Sequence, residues 1–170
     1  MSLIRDIKDY PKKGVVFRDI TTLIKDGKAF NEVLDILYEI CKDKKIDLVA
    51  AIESRGFIFG GVLADRLGVG IIPVRKLGKL PSKCVAEKYE LEYGTDSLEM
   101  HTDALSKGQR VLVVDDLLAT GGTLQATCRL IEKLGGEVAG IMVLIELSFL
   151  KGRKKLKDYD FFSLIRYDSE

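Results

Sequence analysis

The chain has 170 residues, 46% of them hydrophobic and 31% charged, a balance typical of one globular domain with an ample core. Lys and Arg number 27 and Asp and Glu number 26, so the net charge of +1 gives no electrostatic reason to expect a nucleic-acid partner. The longest apolar run, Ala139–Ile145, is far shorter than the ~20 residues of a membrane helix, and we expect no membrane association. The N-terminus carries acids and lacks an apolar signal region, so we expect a cytoplasmic protein.

Cysteine and histidine are too sparse for several common kinds of site. Cys41, Cys84 and Cys128 lie far apart with no CxxC pair, which argues against a disulfide framework or a zinc site. Cys41 and Cys128 fall on apolar helix faces and are expected in the core. His101 is the only histidine, so mechanisms that need a histidine pair are excluded. The one basic cluster, Lys151–Lys157, predicts either a solvated face or a phosphate-facing segment.

The first half of the chain alternates helical and extended patterns. Residues 28–44 carry apolar side chains at helical spacing, and Asp47–Glu53 is a short, almost wholly apolar strand. A second helix is predicted over residues 58–67 with Gly68 as its C-terminal stop, followed by a strand over Gly70–Val74.

Two further apolar strands are predicted over Arg110–Asp116 and Val138–Leu147, joined by an amphipathic helix that ends at Gly135-Gly136. Continuous apolar strands alternating with amphipathic helices predict an α/β fold with a mostly parallel twisted sheet flanked by helices. Ligands bind beyond the carboxyl ends of such strands. We therefore expect the chemistry in the loops after Glu53, Val74 and Asp116.

The most specific pattern is the strand, acid pair and small-residue turn of Val111–Thr123. Asp115 and Asp116 can accept hydrogen bonds from ribose hydroxyls and face a hard divalent cation. The following turn offers successive N–H groups at a helix N-terminus, which predicts a cradle for a monophosphate. Its residues are Ala119, Thr120, Gly121, Gly122 and Thr123. The alternative, acids that only end a strand and glycines that only make a turn, explains each part separately but not their combination.

This run resembles the signature with which type I phosphoribosyltransferases bind phosphoribosyl pyrophosphate (PRPP). Five further segments are similar to blocks of one group in that family, the adenine phosphoribosyltransferases, and the similarity extends over about residues 11–162. The segments are Gly14–Thr21, Glu53–Gly60, Val74–Pro81, Tyr89–Gly94 and Glu146–Leu156.

The resemblance implies a single domain over residues 1–170 with the type I phosphoribosyltransferase fold. It adds a small N-terminal hood that binds the base, residues 1–27, and a flexible hairpin lid, residues 77–102. The implied reaction belongs to purine salvage: the 5-phosphoribosyl group of PRPP passes to adenine, giving AMP and pyrophosphate. The implied cofactor is Mg²⁺, and the implied assembly is a homodimer with partner residues near the site.

The implied roles can be assigned residue by residue. The 5′-phosphate and ribose fall to the acid pair and the turn of Val111–Thr123. Magnesium would bridge pyrophosphate and ribose oxygens, with Asp115 and Asp116 reaching it through water rather than as fixed ligands. The pyrophosphate candidates are Ser54, Arg55, Arg75, Lys76 and Lys79. Arg55 has an alternative interpretation as a surface arginine paired with Glu53. The family also implies a non-proline cis peptide bond at Glu53-Ser54.

The base site is expected in the N-terminal segment. Phe17 offers an aromatic face for stacking, and the backbone of Val16 and Arg18 can contact the purine edge. Leu117 would close the opposite face of an apolar slot. Without the family resemblance, an ordinary core role for Phe17 is the better interpretation.

Residues 77–102 form a long polar connection, which in a compact domain is typical of a functional lid. Their alternation predicts a two-stranded hairpin with its turn at Gly94–Ser97. Glu92 and Tyr93 lie near its hinge and, with Arg55, are the catalytic candidates. The family position implies that Glu92 contacts the N7 side of the purine and moves a proton. The alternative is a solvated glutamate on the hairpin.

Two other functions fit the PRPP signature. The same scaffold serves other bases, namely hypoxanthine, guanine, xanthine or orotate. Some proteins with this site are purine-responsive transcriptional regulators, which require a DNA-reading module. About ten residues precede Pro11, too few for a helix-turn-helix, and the net charge is near zero, so we favour the enzyme.

Overall fold

The computed structural model describes residues 3–90 and 94–169, which form nine strands and four α-helices within that part of the chain. The strands are β1 Arg5–Lys8, β2 Val16–Asp19, β3 Leu48–Ile52, β4 Gly70–Lys76, β5 Cys84–Glu90, β6 Thr95–His101, β7 Arg110–Leu118, β8 Glu137–Leu147 and β9 Phe161–Tyr167. The helices are α1 Thr21–Ile24, α2 Gly27–Cys41, α3 Gly56–Leu67 and α4 Gly122–Lys133. Short 3₁₀ turns cover Ser148–Leu150 and Gly152–Leu156. No helix of the described residues has the length and apolar character needed to cross a bilayer.

Seven strands form one sheet in the order β5-β6-β4-β3-β7-β8-β9. The five strands from β4 to β9 pair in parallel, and β5 and β6 form an antiparallel hairpin at one edge. The predicted mostly parallel sheet is therefore confirmed. The chain passes from β3 outward to β4 and later returns to place β7 on the other side of β3. This reversal of strand order makes the β3–β7 edge the expected position for a ligand.

Both faces of the parallel sheet are covered, so successive residues of one strand enter different cores. Val49 packs with α2 and α3 on one face, whereas Ala50 packs with α4 and the hairpin on the other. Cys41 and Cys128 are completely buried, one in each core, which confirms their predicted positions. This two-sided burial explains why the strands are apolar runs rather than alternating patterns.

Local signals set the helix ends. The Asp26 carboxylate accepts hydrogen bonds from the N–H groups of Lys28 and Ala29 and so caps the start of α2. Helix α3 ends as predicted at Gly68, whose φ of 68° lies in the left-handed region. The helix α3 begins two residues earlier than predicted, at Gly56, directly after the loop that follows β3.

Three features differ from the sequence-based expectations. The β1–β2 hairpin was not predicted because β1 is short, charged and mostly exposed, and β9 was not predicted because its residues are only half-buried. The predicted turn at Gly94–Ser97 is wrong. Glu90 pairs with Thr95, and Thr95, Asp96 and Ser97 already belong to β6. Polar composition suggested a turn there, but cross-strand pairing decided the register.

Candidate active site

The acid pair lies inside β7, which continues two residues beyond Asp116 to Leu118. Both carboxyl groups are buried, and the Asp116 N–H donates to Asp115 Oδ1 at 2.8 Å. Burial, together with the charge of Asp116, raises the pKa of Asp115 well above its usual value. Burial also raises the pKa of Asp116, an effect that the nearby Arg55 guanidinium opposes.

The turn after β7 is tightly enclosed. Gly121 has a φ of 81°, and a Cβ placed on it would lie 2.6 Å from the Gly152 carbonyl oxygen. A Cβ on Gly122 would lie 2.6 Å from the Glu90 carbonyl oxygen. Only glycine therefore fits at these two positions, between the Gly152 segment and strand β5. The Gln125 backbone N–H donates to the Gly121 carbonyl at 3.0 Å. The backbone N–H groups before it, at the start of α4, have no hydrogen-bond partner within the helix.

A cavity of about 420 Å³ opens beside this turn at the β3–β7 edge. Ten predicted site residues line it: Ser54, Arg55, Lys76, Asp115, Asp116, Leu117, Ala119, Thr120, Gly121 and Thr123. Six other lining residues are Ile52, Glu53, Tyr89, Leu98, Leu118 and Leu124. The loops after β3 and β7 and the end of β4 thus converge on one space, as expected for the carboxyl ends of parallel strands.

Arg55 connects three parts of the molecule. Its Nε lies 2.9 Å from Asp116 Oδ2, and its guanidinium carbon lies 5.0 Å from the centroid of the Phe17 ring. The alternative pairing of Arg55 with Glu53 is wrong, because Glu53 instead pairs with Arg75 Nε at 2.7 Å. The Glu53-Ser54 peptide bond is cis, as the family resemblance implied.

The three cations at and after the end of β4 do not all reach the cavity. Lys76 lines it, and its ammonium lies 3.1 Å from Asp96 Oδ2. Arg75 donates to the Glu53 carboxylate and to the Lys79 carbonyl. Neither Arg75 nor Lys79 is among the described residues that line the cavity.

The base-binding candidates are only partly gathered at the cavity. Leu117 lines it, whereas Phe17 on β2 reaches its edge through contact with Arg55. The Arg18 side chain is buried elsewhere, with Nη1 2.5 Å from Asp6 Oδ1 and its guanidinium 4.1 Å from the Tyr167 ring centroid. This leaves the backbone of β2, rather than the Arg18 side chain, as the group that could face a base.

Glu92 and Tyr93 lie outside the described residues. Two nearby residues were not identified from sequence. Tyr89 lines the cavity from β5, and burial followed by the Asp96 charge raises the pKa of its phenol. Asp96, on β6, pairs with Lys76. Tyr89 could have been identified from the alternating pattern of the hairpin, in which it is an inward-facing aromatic residue. Asp96 was missed because it fell within the turn that was wrongly predicted.

The carboxylates do not form a closed metal centre. No group of three or more potential His, Cys, Asp or Glu ligands occurs within residues 3–90 and 94–169. Asp116 Oδ2 is a buried oxygen that meets Arg55 as an ion pair but accepts no hydrogen bond. This oxygen suits a cation whose other ligands come from substrate and water.

The basic cluster at Lys151–Lys157 packs against the glycine turn of Ala119–Thr123. Arg153 donates from Nε and Nη2 to the two carboxylate oxygens of buried Glu146, at 2.9 and 2.5 Å. This pairing lowers the pKa of Glu146. The neighbouring Gly152 packs so closely that a Cβ on it would lie 2.2 Å from the Ala119 carbonyl oxygen. The arginine therefore anchors the segment that presses against the turn.

Comparison with known proteins matches this fold and site to one class. The model of the phosphoribosyl transferase domain family matches residues 21–169, which include the acid pair, the glycine turn and all four helices. The chain belongs to the phosphoribosyltransferase family.

Within that family, the chain is similar to several adenine phosphoribosyltransferases. An adenine phosphoribosyltransferase of Thermoanaerobacter sp. (strain X514) is 58% identical over 165 residues, which cover 97% of this chain and 95% of the relative. The crystal structure of adenine phosphoribosyltransferase from Thermoanaerobacter pseudethanolicus superposes with a TM-score of 0.94 at 58% identity, covering 97% and 96% of the two chains. The Giardia lamblia enzyme, crystallised with 9-deazaadenine, gives 0.92 at 39% identity over 97% and 94%. The chain thus falls in the adenine phosphoribosyltransferase branch.

Proposed function

We propose that this chain transfers the 5-phosphoribosyl group of PRPP to adenine, giving AMP and pyrophosphate in purine salvage. One observation carries the proposal: a single cavity combines a glycine turn at a helix N-terminus, a buried acid pair and two cations from other loops. That set matches a substrate with two anionic ends and a ribose between them. The adenine analogue in the Giardia lamblia relative supports the choice of base.

The 5′-phosphate is assigned to the turn of Ala119, Thr120, Gly121, Gly122 and Thr123. Free N–H groups and the positive end of the α4 dipole favour a dianion at that position. The ribose hydroxyls are assigned to Asp115 and Asp116, whose carboxylates lie at the base of the same cavity. Two glycines without room for a Cβ let the backbone approach the phosphate closely.

The pyrophosphate is assigned to the side of the cavity formed by Ser54, Arg55 and Lys76. Arg55 and Lys76 each have an acid partner, Asp116 and Asp96, and both face the cavity. Arg75 and Lys79 are assigned a secondary role in binding pyrophosphate. Arg75 can contact a phosphate oxygen only after it leaves its ion pair with Glu53.

The transfer requires a dry site. The bond from ribose C1 to the pyrophosphate oxygen breaks, the leaving oxygen keeps the electron pair, and C1 becomes cation-like until the adenine nitrogen bonds to it. Arg55 and Lys76 stabilise the charge that develops on pyrophosphate. The β5–β6 hairpin, part of the proposed lid 77–102, would exclude water while the cation forms. Phe17 and Leu117 would hold the base between them, with the backbone of Val16 and Arg18 at its edge.

Glu92 is proposed to accept or donate the proton on the N7 side of the purine, with Tyr93 beside it. Adenine must lose one proton as its nitrogen bonds to C1, and general acid–base help of this kind is typically worth about 10²–10⁴-fold in rate.

Magnesium is proposed as the cofactor. When bound, it would neutralise pyrophosphate charge and polarise the leaving oxygen. Asp116 Oδ2, buried and without a hydrogen bond, is the oxygen best suited to reach it through water, and Asp115 is beside it. Most of its ligands would then be substrate oxygens and water.

A turnover assay with PRPP, magnesium and each of adenine, hypoxanthine, guanine and orotate tests the proposal. Product from adenine alone is expected. Turnover with another base instead would preserve the PRPP site but overturn the roles of Phe17, Arg18 and Glu92. PRPP binding without turnover on any base, combined with a DNA mobility shift at low salt, would favour the regulator.

A homodimer in the cytoplasm is the proposed form of the enzyme. Sedimentation should give twice the chain mass of 18.9 kDa. The free thiols of Cys41, Cys84 and Cys128 suit a reducing compartment. A mass equal to one chain at micromolar concentration would contradict the dimer.

A further inference from the structure

Contacts through one carboxylate connect polar side chains beside the cavity. Lys76 Nζ lies 3.1 Å from Asp96 Oδ2, and the Tyr89 hydroxyl donates to that same oxygen at 3.4 Å. Thr123 lines the same cavity as Tyr89 and Lys76. Lys76, Asp96 and Tyr89 come from β4, β6 and β5, so these contacts join the parallel sheet to the hairpin, and the Tyr89 ring lies beside the glycine turn.

The residues that make these contacts are held in place by their surroundings. The Tyr89 side chain is buried, and its ring lies so near the turn that a Cβ on Gly122 would be 3.1 Å from Tyr89 Cδ2. Asp96 Oδ1 accepts the Ser97 N–H at 2.8 Å, which orients the carboxylate so that Oδ2 meets its two donors. Asp96 is not among the described residues that line the cavity, whereas Lys76, Tyr89 and Thr123 do line it.

We propose that Asp96 is a positioning residue that holds the Lys76 ammonium at the pyrophosphate side, while Tyr89 links this carboxylate to the phosphate turn. This inference rests on the proposed function and adds two residues to it. A lysine side chain has several rotatable bonds, and fixing it before the anion arrives lowers the entropy lost on binding. The hydrogen bond to Asp96 also raises the pKa of Lys76.

The position of Asp96 also links the hairpin to substrate binding. Asp96 and Tyr89 are directly paired across β5 and β6, so both move with the hairpin. With the hairpin in the position described here, Asp96 contacts Lys76 and the Tyr89 ring lies beside the glycine turn. Displacement of the hairpin would release both anion-binding sides at once.

The test is a double-mutant cycle between Asp96→Asn and Lys76→Gln, read out as KM for PRPP, KM for adenine and kcat. Because a hydrogen bond to a charged group is lost, Asp96→Asn should raise the KM for PRPP about tenfold, with the KM for adenine and kcat within about twofold of wild type. In the Lys76→Gln background, Asp96→Asn should have no further effect. Glu87→Gln is the matched control, since Glu87 lies on the same hairpin and contacts only Arg129 among the cations of the described chain.

Tyr89→Phe provides a second variant that removes one hydroxyl and keeps the buried ring. It should raise the KM for PRPP by a smaller factor than Asp96→Asn, and its far-UV circular dichroism should match wild type. An Asp96→Asn effect that persists unchanged without Lys76, or that appears equally in the KM for adenine, would overturn the positioning role.

PRPP affinities from calorimetry separate the failure of the positioning role from the failure of the proposed function. A wild-type chain that binds no PRPP would refute the proposed function. A wild type that binds PRPP while Asp96→Asn binds it equally well would refute only the role of Asp96.

Discussion

Arg55 shows how one side chain can join distant parts of the chain at a site. It contacts a buried carboxylate on β7 and the face of an aromatic ring on β2. Removing it would leave Asp116 as a buried charge without its ion-pair partner, which is far more costly than losing an exposed salt bridge. Arg55 is therefore expected to matter for the arrangement of the cavity as well as for its proposed role at pyrophosphate.

Glu92→Gln tests the proposed proton transfer. The substitution keeps the size of the side chain but removes its acid–base function, so kcat should fall at least about tenfold while PRPP affinity stays near that of wild type. Steady-state kinetics with adenine would measure kcat, and calorimetry would measure PRPP binding. Glu90→Gln, two residues away, serves as the control. An unchanged kcat would remove Glu92 from the mechanism.

Asp19→Asn tests a stabilising carboxylate outside the cavity. The Thr21 N–H, followed by Arg5 and the Thr21 hydroxyl, lowers the pKa of Asp19 to about 2. A carboxyl whose folded-state pKa is lowered stabilises the protein above the unfolded-state pKa near 4 and loses this contribution as the pH falls toward 2. The substitution should reduce the free energy of unfolding by about 2 kcal/mol at pH 7 and by about half as much at pH 3.

Urea unfolding of wild type and Asp19→Asn at pH 7, 5 and 3 would measure this difference. The gap between the two proteins should be the same at pH 7 and 5, because both values lie above the unfolded-state pKa. A gap that remains constant down to pH 3 would show that Asp19 stabilises the fold by hydrogen-bond geometry and not by its charge.

At the scale of elements, the glycine turn depends on the 3₁₀ segment behind it. Gly152 lies against the main chain of the turn, and the Arg153–Glu146 pair anchors it there. The two segments are about thirty positions apart in the chain, yet neither has room for one additional methyl group. The geometry of the proposed phosphate site is thus set by backbone packing rather than by the turn alone.

Gly152→Ala should therefore damage the turn selectively. A Cβ there would meet the Ala119 carbonyl oxygen at 2.2 Å and the Gly121 nitrogen at 2.9 Å, so the turn must shift. Overpacking of this kind costs about 1–3 kcal/mol, and the affinity for ribose 5-phosphate should fall about tenfold or more. Calorimetry would measure it. Gly61→Ala on α3 is the control, because a Cβ there meets nothing within 4 Å. Unchanged affinity in folded Gly152→Ala would show that the turn tolerates displacement.

At the scale of the whole molecule, PRPP should stabilise the fold, because the proposed binding mode bridges residues from the ends of β3, β4 and β7. PRPP with magnesium at one hundred times its Kd should raise the free energy of unfolding by about 2.7 kcal/mol. Chelation of magnesium should remove most of this gain, since the pyrophosphate charges would face Asp115 and Asp116 without a cation between them. Denaturant unfolding with and without chelator would measure both values. Equal stabilisation after chelation would contradict a role for the metal in the complex.

Several parts of the molecule could be predicted from the sequence because their signals are local. Apolar runs, helical spacing and the glycines that stop helices involve residues close together in the chain, and they located β3, β4, β7, β8 and the helices between them. The turn of Ala119–Thr123 was equally visible, since its glycines and hydroxyls are contiguous. The β1–β2 hairpin and β9 carried weaker patterns, because their side chains are exposed or half-buried.

By itself, the sequence determined the class of fold, the edge of the sheet that carries the site and most of the residues that line it. The tertiary structure alone decided which charges meet: Arg55 with Asp116, Glu53 with Arg75, and Lys76 with Asp96. The physical reason is that periodicity and turn chemistry act between near neighbours in the chain. Ion-pair partners are instead chosen by strand order and register, which bring β3 beside β7 and β4 beside β6 across long separations in sequence.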